Sequence, residues 1–308
     1  MDSNYLLRKP STLPLSWIRH DNNSLDFVNV PIHKKCEWIS LAKISKHTSP
    51  HLVFDHIEKQ SNKYAIIRGC NTQIKKYLNE KGFGSVYIGK EAVLQFDKNH
   101  FKKKSLRELI KRGNKHGKVV ELEFNENNRK KIEEFKKYSA HGKEPQLTNL
   151  YFSSFVPNTR MFVFTDNVGN WLGAIQVSVN SGNKLHTELL LRKKDAPIGV
   201  MEALIFGVFS ILKEEKFQEW SLGEVPFLKN EQHASLFTKA YLINLTGRLI
   251  KFAYNYEGLY NFKNKFTPRW DDIFLCAKPK VRLTYLMFFI SKINLHRLIL
   301  SKLIEKIN

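Results

Sequence analysis

The chain has 308 residues, a length that predicts one large or two moderate domains, with two lobes as the default. A composition of 42% hydrophobic and 12% aromatic residues excludes wholesale disorder. Fifty Lys and Arg against 29 Asp and Glu give a formal net charge of +21, which favours nucleic acid or an anionic membrane surface as partner, although a solvated lysine-rich surface would give the same balance. Three widely spaced cysteines suggest neither a disulfide framework nor a zinc knuckle, which fits a reducing cytoplasm, and we expect no metal site.

The sequence shows no membrane-spanning or secretory segment. The N-terminus lacks a cationic start followed by an apolar run, so no secretory signal is predicted. No stretch reaches about 18 uninterrupted apolar residues, the length that a spanning helix needs. We therefore expect a protein that does not cross a bilayer.

The first third of the chain alternates strand-like and helix-like segments. Strand patterns occur at 26–32, 63–69, 85–89 and 92–96, and helical spacing occurs at 51–60. Asn71 can cap a further helix, which Gly82 is placed to end. This alternation predicts the α/β class.

The most basic segment lies between residues 98 and 118, with nine Lys and Arg. Ser105 and Glu108 have capping-box spacing, and apolar residues form an inward stripe, so a helix is predicted over about 106–115. A row of like charges is mildly self-repulsive, which favours an anion over it, although a solvated face is the ordinary alternative. The candidate anion-binding residues are Lys104, Arg107, Lys111, Arg112 and Lys115.

The polar stretch 140–149 is the best candidate for a boundary between lobes. Three antiparallel strands follow, joined by turns at 166–170 and 180–183, and then a loop, a helix to about 215 and a strand at 219–226. We therefore expect an N-terminal lobe over 1–140, a C-terminal catalytic lobe over 141–280 and a basic amphipathic helix over 281–308.

The order of three antiparallel strands, loop, helix and further strand is that of the N-acetyltransferase-like fold. Acyl-CoA enzymes of that fold wrap a pyrophosphate with closely spaced glycines in the loop before the helix. Here the loop, 193–199, contains one glycine, Gly199. That departure favours a different acyl donor on a related scaffold.

Five segments in order carry a resemblance to a known family. They are Gly82-Phe83 with Gly89 to Ala92, the basic helix from Ser105, Leu191-Arg192 with Asp195 to Glu202, Ser221 to Gly223 with Pro226, and Tyr254 to Trp270. Together, over about residues 60–280, they resemble the soluble catalytic domain of bacterial phosphatidylglycerol lysyltransferases, the multiple peptide resistance factor family. The flippase of its long members has no counterpart here, so lipid translocation is not expected.

The resemblance implies a tandem pair of N-acetyltransferase-like lobes with mixed sheets. It further implies transfer of an aminoacyl group from charged tRNA to a hydroxyl of a phospholipid of the phosphatidylglycerol type. Aminoacyl-tRNA is then a co-substrate and no cofactor is needed, while tRNA, phospholipid and the anionic membrane surface are the partners. The amino acid, the acceptor and the oligomeric state stay open.

Acyl transfer between two hydroxyls needs a proton acceptor and donors for the oxyanion. Asp195 and Glu202 are the carboxylates best placed to act as base or to hold the α-ammonium, although either could simply favour a helix N-terminus. Arg192, Lys263 and Lys265 are candidate clamps for phosphate or oxyanion, and we expect both lysines to point into a cavity lined by the loop before the helix. The further substrate-binding candidates are Gly199, Met201 and Gly223.

Two other functions stay open on the sequence. One is an acyl-CoA-dependent N-acyltransferase of the same fold, and the other is a non-catalytic RNA-binding protein that uses the positive charge. The basic tail, 281–308, can lie on an anionic leaflet or pack on protein, and we favour contact with the inner face of the cell membrane.

Overall fold

The computed structural model describes residues 9–60, 64–229 and 238–307 and contains one continuous mixed sheet of 11 strands. The strands are β1 Trp17–His20, β2 Leu25–His33, β3 Cys36–Ser45, β4 Tyr64–Cys70, β5 Gly84–Gln95, β6 Lys118–Leu122, β7 Thr159–Thr165, β8 Trp171–Ser181, β9 Lys184–Arg192, β10 Glu219–Pro226 and β11 Arg269–Ala277. Their order is β1-β3-β4-β11-β5-β10-β9-β8-β7-β6, with β2 paired to β3. The predicted α/β class is confirmed, with one sheet in place of two.

Helices connect most of these strands. They are α1 Pro50–Gln60, α2 Thr72–Glu80, α3 Lys104–Asn114, α4 Glu126–Lys137, α5 Val200–Lys213, α6 Lys239–Leu249, α7 Tyr256–Asn264, α8 Leu283–Lys292 and α9 Leu295–Ile307. The helix predicted at 106–115 is α3, but Ser105 lies inside it and Lys103 occupies the N-cap without a side-chain hydrogen bond. The predicted capping box is therefore wrong.

The sheet joins the two halves of the chain through β5. This 12-residue strand pairs with β11 on one side and with β10 on the other. β11 also pairs with β4, so a strand from the end of the C-terminal segment completes the sheet of the N-terminal half. β6 and α3 belong to the first predicted lobe, yet each contacts the second: β6 pairs with β7, and α3 packs on α5. The lobe limits 1–140 and 141–280 stay a prediction.

A gap opens in the sheet between β9 and β10. The two strands run parallel and pair from Glu219 to Ser221. Beyond Ser221 the register of β10 shifts, Gly223 takes a left-handed φ of 86°, and β10 continues along β5. The second half of β9 is thereby left without β10 beside it, which makes room for a cleft.

The apolar core of the C-terminal half holds α5 against the sheet. Val200, Leu204 and Val208 are fully buried on this helix, and each contributes roughly 1.5–3 kcal/mol by its burial. Phe209 packs against Phe101 with ring centroids 5.0 Å apart. The start of α5 is therefore fixed relative to the cleft.

The tail forms two helices where one was expected. Asn294 takes a left-handed φ of 65° between α8 and α9, and its amide donates to the carbonyl of Gln146, so the chain turns there. Phe289 of α8 packs on Trp38, with centroids 4.4 Å apart. Among the helices described, none alone is long and apolar enough to cross a membrane; α8 and α9 meet that criterion only as a pair, bent by 67°.

Candidate functional site

A cleft of about 570 Å³ lies beside the half of β9 that does not pair with β10. The end of β9 forms its inner wall, the start of α7 lies opposite, and residues 139–147 and α9 close its rim. Its main lining residues are Ser139, His141, Glu144, Tyr151, Glu188, Leu190, Arg192, Met201, Tyr254, Asn255, Gly258, Phe262 and Leu298. The volume falls in the range of ligand pockets, about 300–1,000 Å³.

Glu188 is a buried carboxylate on the inner wall of this cleft. Its side chain is 4% exposed. One carboxylate oxygen accepts from the Ser178 hydroxyl at 2.6 Å and the other from the Phe152 amide at 3.1 Å. Carboxylates are rarely buried this far without such partners. The sequence prediction missed Glu188, although a single Glu inside the apolar strand segment 184–192 was a signal for it.

His186 lies behind Glu188 on the same strand. Its ring nitrogens lie 3.2 Å from the Ser221 hydroxyl and 3.5 Å from the Ser16 hydroxyl. Burial lowers its pKa to about 4, so the imidazole is neutral at physiological pH. His186 therefore supports the inner wall from within the core.

Two tyrosines bring hydroxyl groups to the cleft. Burial raises the pKa of Tyr151, and it raises the pKa of Tyr254 to about 12 despite the opposing charge of Arg68. Both phenols are therefore protonated at physiological pH and can donate a hydrogen bond.

At the rim, an ion pair joins the 139–147 segment to α9. The Glu144 carboxylate accepts from Lys302 at 2.8 Å and lies 3.1 Å from His141. Burial alone would raise the pKa of Glu144, but these two partners outweigh burial and lower it. Opposite, the Asn255 side chain accepts from the amide of Gly258 at 2.9 Å and caps α7.

The predicted residues of the loop and of α5 fall into two groups. Arg192 and Met201 line the cleft as expected. Asp195 is 74% exposed and pairs with Lys193 at 3.3 Å, because the turn before α5 directs it to solvent. It does not cap α5 either, since Gly199 is the N-cap residue. The structure therefore does not bring Asp195 into the cleft.

Glu202 and Lys265 form an ion pair behind the cleft. The buried Glu202 carboxylate accepts from the Lys265 ammonium at 2.7 Å, which joins α5 to the end of α7. Lys265 is 41% exposed and also lies over the ring of Phe262. Neither residue is among those that line the cleft, and the pair joins α5 to the end of α7.

Lys263 points into the gap of the sheet. Its ammonium nitrogen donates to the carbonyl of Glu224 at 2.9 Å and lies close to Gly223, at 3.4 Å from the position of a Cβ there. Burial lowers its pKa to about 7, against the opposing charge of Glu91. The two late lysines were expected to share a cavity, but on α7 they point apart.

The start of α5 is covered by the basic helix α3. A Cβ on Gly199 would lie 2.2 Å from the carbonyl oxygen of Leu109, and one on Gly113 would lie 2.2 Å from that of Gly199. The two backbones therefore touch. The outer face of α3 exposes all five predicted basic residues, Lys104, Arg107, Lys111, Arg112 and Lys115, and none of them forms an ion pair with a residue that the structure describes.

Known proteins resemble the chain over most of this architecture. The family described as phosphatidylglycerol lysyltransferase, C-terminal, matches residues 50–277. A phosphatidylglycerol lysyltransferase of Bacillus subtilis (strain 168) is 24% identical over 110 residues, which is 36% of this chain and 13% of that relative's length.

Solved structures share the fold at low identity. The structure of L-PGS from Bacillus licheniformis is 17% identical, with a TM-score of 0.67 over 89% of this chain and 87% of that one. The C-terminal domain of an Agrobacterium fabrum protein is 18% identical, with a TM-score of 0.60 over 85% and 83%. The resemblance predicted from the five segments is confirmed: the chain belongs to the phosphatidylglycerol lysyltransferase C-terminal family.

Proposed function

We propose that this protein is an aminoacyl-tRNA-dependent transferase that esterifies an amino acid to a hydroxyl of a phospholipid of the phosphatidylglycerol type. The observation that carries the proposal is the buried Glu188 carboxylate in a cleft of about 570 Å³ inside the family-matched region. The donor is already an activated ester, so the reaction requires no further cofactor. The lipid acceptor places the reaction at the inner face of the cell membrane.

The chemistry assigns roles to the groups of the cleft. The acceptor oxygen attacks the ester carbonyl carbon of the donor, a new C–O bond forms, and the bond to the ribose oxygen of the tRNA breaks. The proton of the acceptor hydroxyl must reach that ribose oxygen, and Glu188 is placed to take it and return it. The neutral phenol of Tyr254 can donate a hydrogen bond to the carbonyl oxygen as negative charge develops there.

The basic face of α3 supports tRNA as the carrier of the donor. Five exposed cations on α3 and its C-cap residue can neutralise phosphates near the acceptor end of a tRNA, an interaction that weakens as salt increases. The double substitution Arg107→Glu with Lys111→Glu should weaken tRNA binding and reduce the salt slope of log K by about 2. A matched double substitution on α4, Lys130→Glu with Lys131→Glu, should change neither.

An acyl-CoA-dependent N-acyltransferase is the second candidate, and the start of α5 disfavours it. In that function the free amides at the helix N-terminus would receive a pyrophosphate. Here the backbone of α3 lies against Gly199 at van der Waals distance. A pyrophosphate would therefore compete with protein atoms for this position.

A transfer assay tests the proposal. The full chain is incubated with phosphatidylglycerol vesicles and a mixture of radiolabelled aminoacyl-tRNAs, and label is expected in the lipid phase as a base-labile ester. Labelled acetyl-CoA should give no product with lipid or amine acceptors. If no donor labels the lipid, the lipid form of the function is wrong. If tRNA also binds equally with and without its aminoacyl group, the non-catalytic RNA-binding alternative holds.

A further inference from the structure

Residues 146–152 form a support segment that connects the rim of the cleft to the tail helices. Two asparagine side chains tie its first end to the junction of α8 and α9. The Asn294 side chain donates to the carbonyl of Gln146 at 2.8 Å, and the Asn149 side chain donates to the carbonyl of Lys292 at 3.1 Å. Each partner donates to the backbone of the other, so the junction and the segment hold one arrangement.

Both asparagines adopt a left-handed backbone conformation at this contact. Asn149 has a φ of 62° and Asn294 a φ of 65°, values that Asn tolerates better than most residues. Two further hydrogen bonds lie between them: the Thr148 amide donates to the carbonyl of Ile293 at 3.2 Å, and the Thr148 hydroxyl donates to that of Lys292 at 3.2 Å. Local conformation and side chains therefore serve the same junction.

The junction itself is fixed in the apolar core of the N-terminal half. Ile293, Leu295 and Leu298 are buried there, and Phe289 packs on Trp38 with ring centroids 4.4 Å apart. Because buried side chains are close-packed, such a region resists displacement. The junction therefore offers a rigid support.

The far end of the support segment holds the Glu188 carboxylate. The Phe152 amide donates to one oxygen of Glu188 at 3.1 Å, and the Phe152 ring is buried with Ile18 and Leu41 of β1 and β3. The other oxygen accepts from the Ser178 hydroxyl of β8 at 2.6 Å. One donor thus belongs to the sheet, whereas the other belongs to a loop whose place depends on its neighbours.

We propose that the α8–α9 junction is a positioning element for Glu188. It fixes the support segment three residues before Phe152, and the Phe152 amide then keeps the carboxylate in place on the wall of the cleft. Asn149 and Asn294 are the positioning residues. The inference rests on the proposed function, in which Glu188 is the proton acceptor.

The supporting elements lie outside the region that the chain shares with its family. The matched residues, 50–277, include the support segment and Glu188, but not α8, α9 or Trp38. Loss of this support should make the site less precise without removing any group from it. A displacement of about 1 Å, caused far from the reacting atoms, can cost about 100-fold in rate.

Amide exchange in the full chain tests the coupling. In the double variant Asn149→Gly with Asn294→Gly, glycine keeps the left-handed backbone while both side-chain hydrogen bonds are lost. The Phe152 amide, followed with isotope-labelled phenylalanine and assigned from Phe152→Leu, should exchange at least about fivefold faster. The carbon NMR signal of the Glu188 carboxyl group, assigned by its loss in Glu188→Gln, should move.

Asn158→Gly is the matched control. Asn158 also has a left-handed φ, of 64°, and belongs to the loop that follows the support segment, but its side chain is exposed. It should leave the exchange at Phe152 and the Glu188 signal unchanged. Ser178→Ala removes the other donor to Glu188 and should move the carboxyl signal without faster exchange at Phe152. Thermal melts establish that each variant is folded.

Kinetics separate positioning from a loss of stability. Transfer by the double variant should show a kcat at least about tenfold lower with KM within about twofold, because the cleft keeps its lining residues. Asn158→Gly should keep both constants.

Four results would overturn the proposal: a wild-type exchange rate at Phe152 in the folded double variant, equally faster exchange in Asn158→Gly, an unmoved Glu188 signal, or an unchanged kcat. The exchange rate and the carboxyl signal are read without donor or acceptor. They therefore decide the coupling even where the transfer assay finds no product, and failure of the proposed function stays distinguishable.

Discussion

The C-terminal half buries two carboxylates in neighbouring regions that differ in chemistry. On the inner wall of the cleft, Glu188 accepts hydrogen bonds from two neutral donors and faces open space. At the junction of α5 and α7, Glu202 is neutralised by Lys265 and faces protein. The two carboxylates therefore differ in that the partners of Glu188 leave it on the wall of the cleft, whereas Glu202 is paired with Lys265 away from the cleft, and this is why the proposed function assigns the proton transfer to Glu188.

The largest effect is expected on the transfer rate, from a substitution on the inner wall of the cleft. Glu188→Gln keeps the size of the side chain and removes the proton acceptor, so transfer to lipid should fall by at least about 100-fold. Initial rates of lipid labelling measure this, and a thermal melt shows that the fold is kept. Asp195→Asn is the control and should stay within about twofold, because its side chain is in solvent. Equal losses of transfer rate in Glu188→Gln and Asp195→Asn would contradict the assignment of Glu188 as the proton acceptor.

The next effect concerns the contact between α3 and α5. Gly199→Ala adds a Cβ at a left-handed φ of 97° and against the Leu109 carbonyl, so the free energy of unfolding should fall by roughly 2–5 kcal/mol. Gly169→Ala has a similar φ of 90° with open space around it, so it carries the backbone cost alone and should lose less. Urea denaturation of the two variants separates the packing cost from the backbone strain. Equal losses of unfolding free energy would show that α3 shifts to accommodate the added Cβ.

At the α5–α7 junction the expected effect is on stability. Glu202→Gln leaves the Lys265 ammonium without its partner charge, so the free energy of unfolding should fall by roughly 1–3 kcal/mol. The transfer rate should change less than about tenfold if the pair only holds the helices. Glu126→Gln breaks the exposed pair with Arg129 on α4 and serves as the control, with a much smaller effect. A loss of rate as large as that of Glu188→Gln would make Glu202 part of the reacting site.

The last expected effect is a dependence of stability on pH. The pKa of Lys263 is about 7 in the folded protein and 10.5 ordinarily, so between these values the unfolded chain binds a proton that the folded chain lacks. The free energy of unfolding should therefore gain up to about 1.4 kcal/mol per pH unit as the pH rises through this window. Lys263→Met should remove that gain, as measured by urea denaturation between pH 7 and 9. Parallel curves for wild type and variant would show that Lys263 keeps its proton.

The patterns that the sequence predicts well are those set by local periodicity. The strands and the helix between residues 159 and 226 lie close to their predicted positions, because alternation and helical spacing reflect which face is buried. Arg192 and Met201 reach the cleft because they flank a strand-to-helix loop whose place in the sheet is fixed by order along the chain.

The rest depends on contacts between residues far apart in sequence. Glu188 is one polar residue in an apolar strand. It lines a cleft because β10 diverges from β9 at Gly223, and no local sequence pattern predicts that divergence. Glu202 carries helix-start and motif signals, yet α7 supplies Lys265 to cancel its charge. The pair of helices at the tail was missed since one left-handed residue, Asn294, divides an otherwise continuous apolar stripe.

The insertion of β11 between β4 and β5 has a consequence for biosynthesis. On the ribosome, β4 and β5 emerge some 200 residues before the strand that separates them, as the numbering of residues 64–95 and 269–277 shows. In the nascent N-terminal half, β4 and β5 must stay unpaired on the edges that β11 will occupy until the C-terminal half has been synthesised. Two fragments divided near residue 140 should therefore be insoluble when produced separately. They should become soluble when they are coexpressed or refolded together.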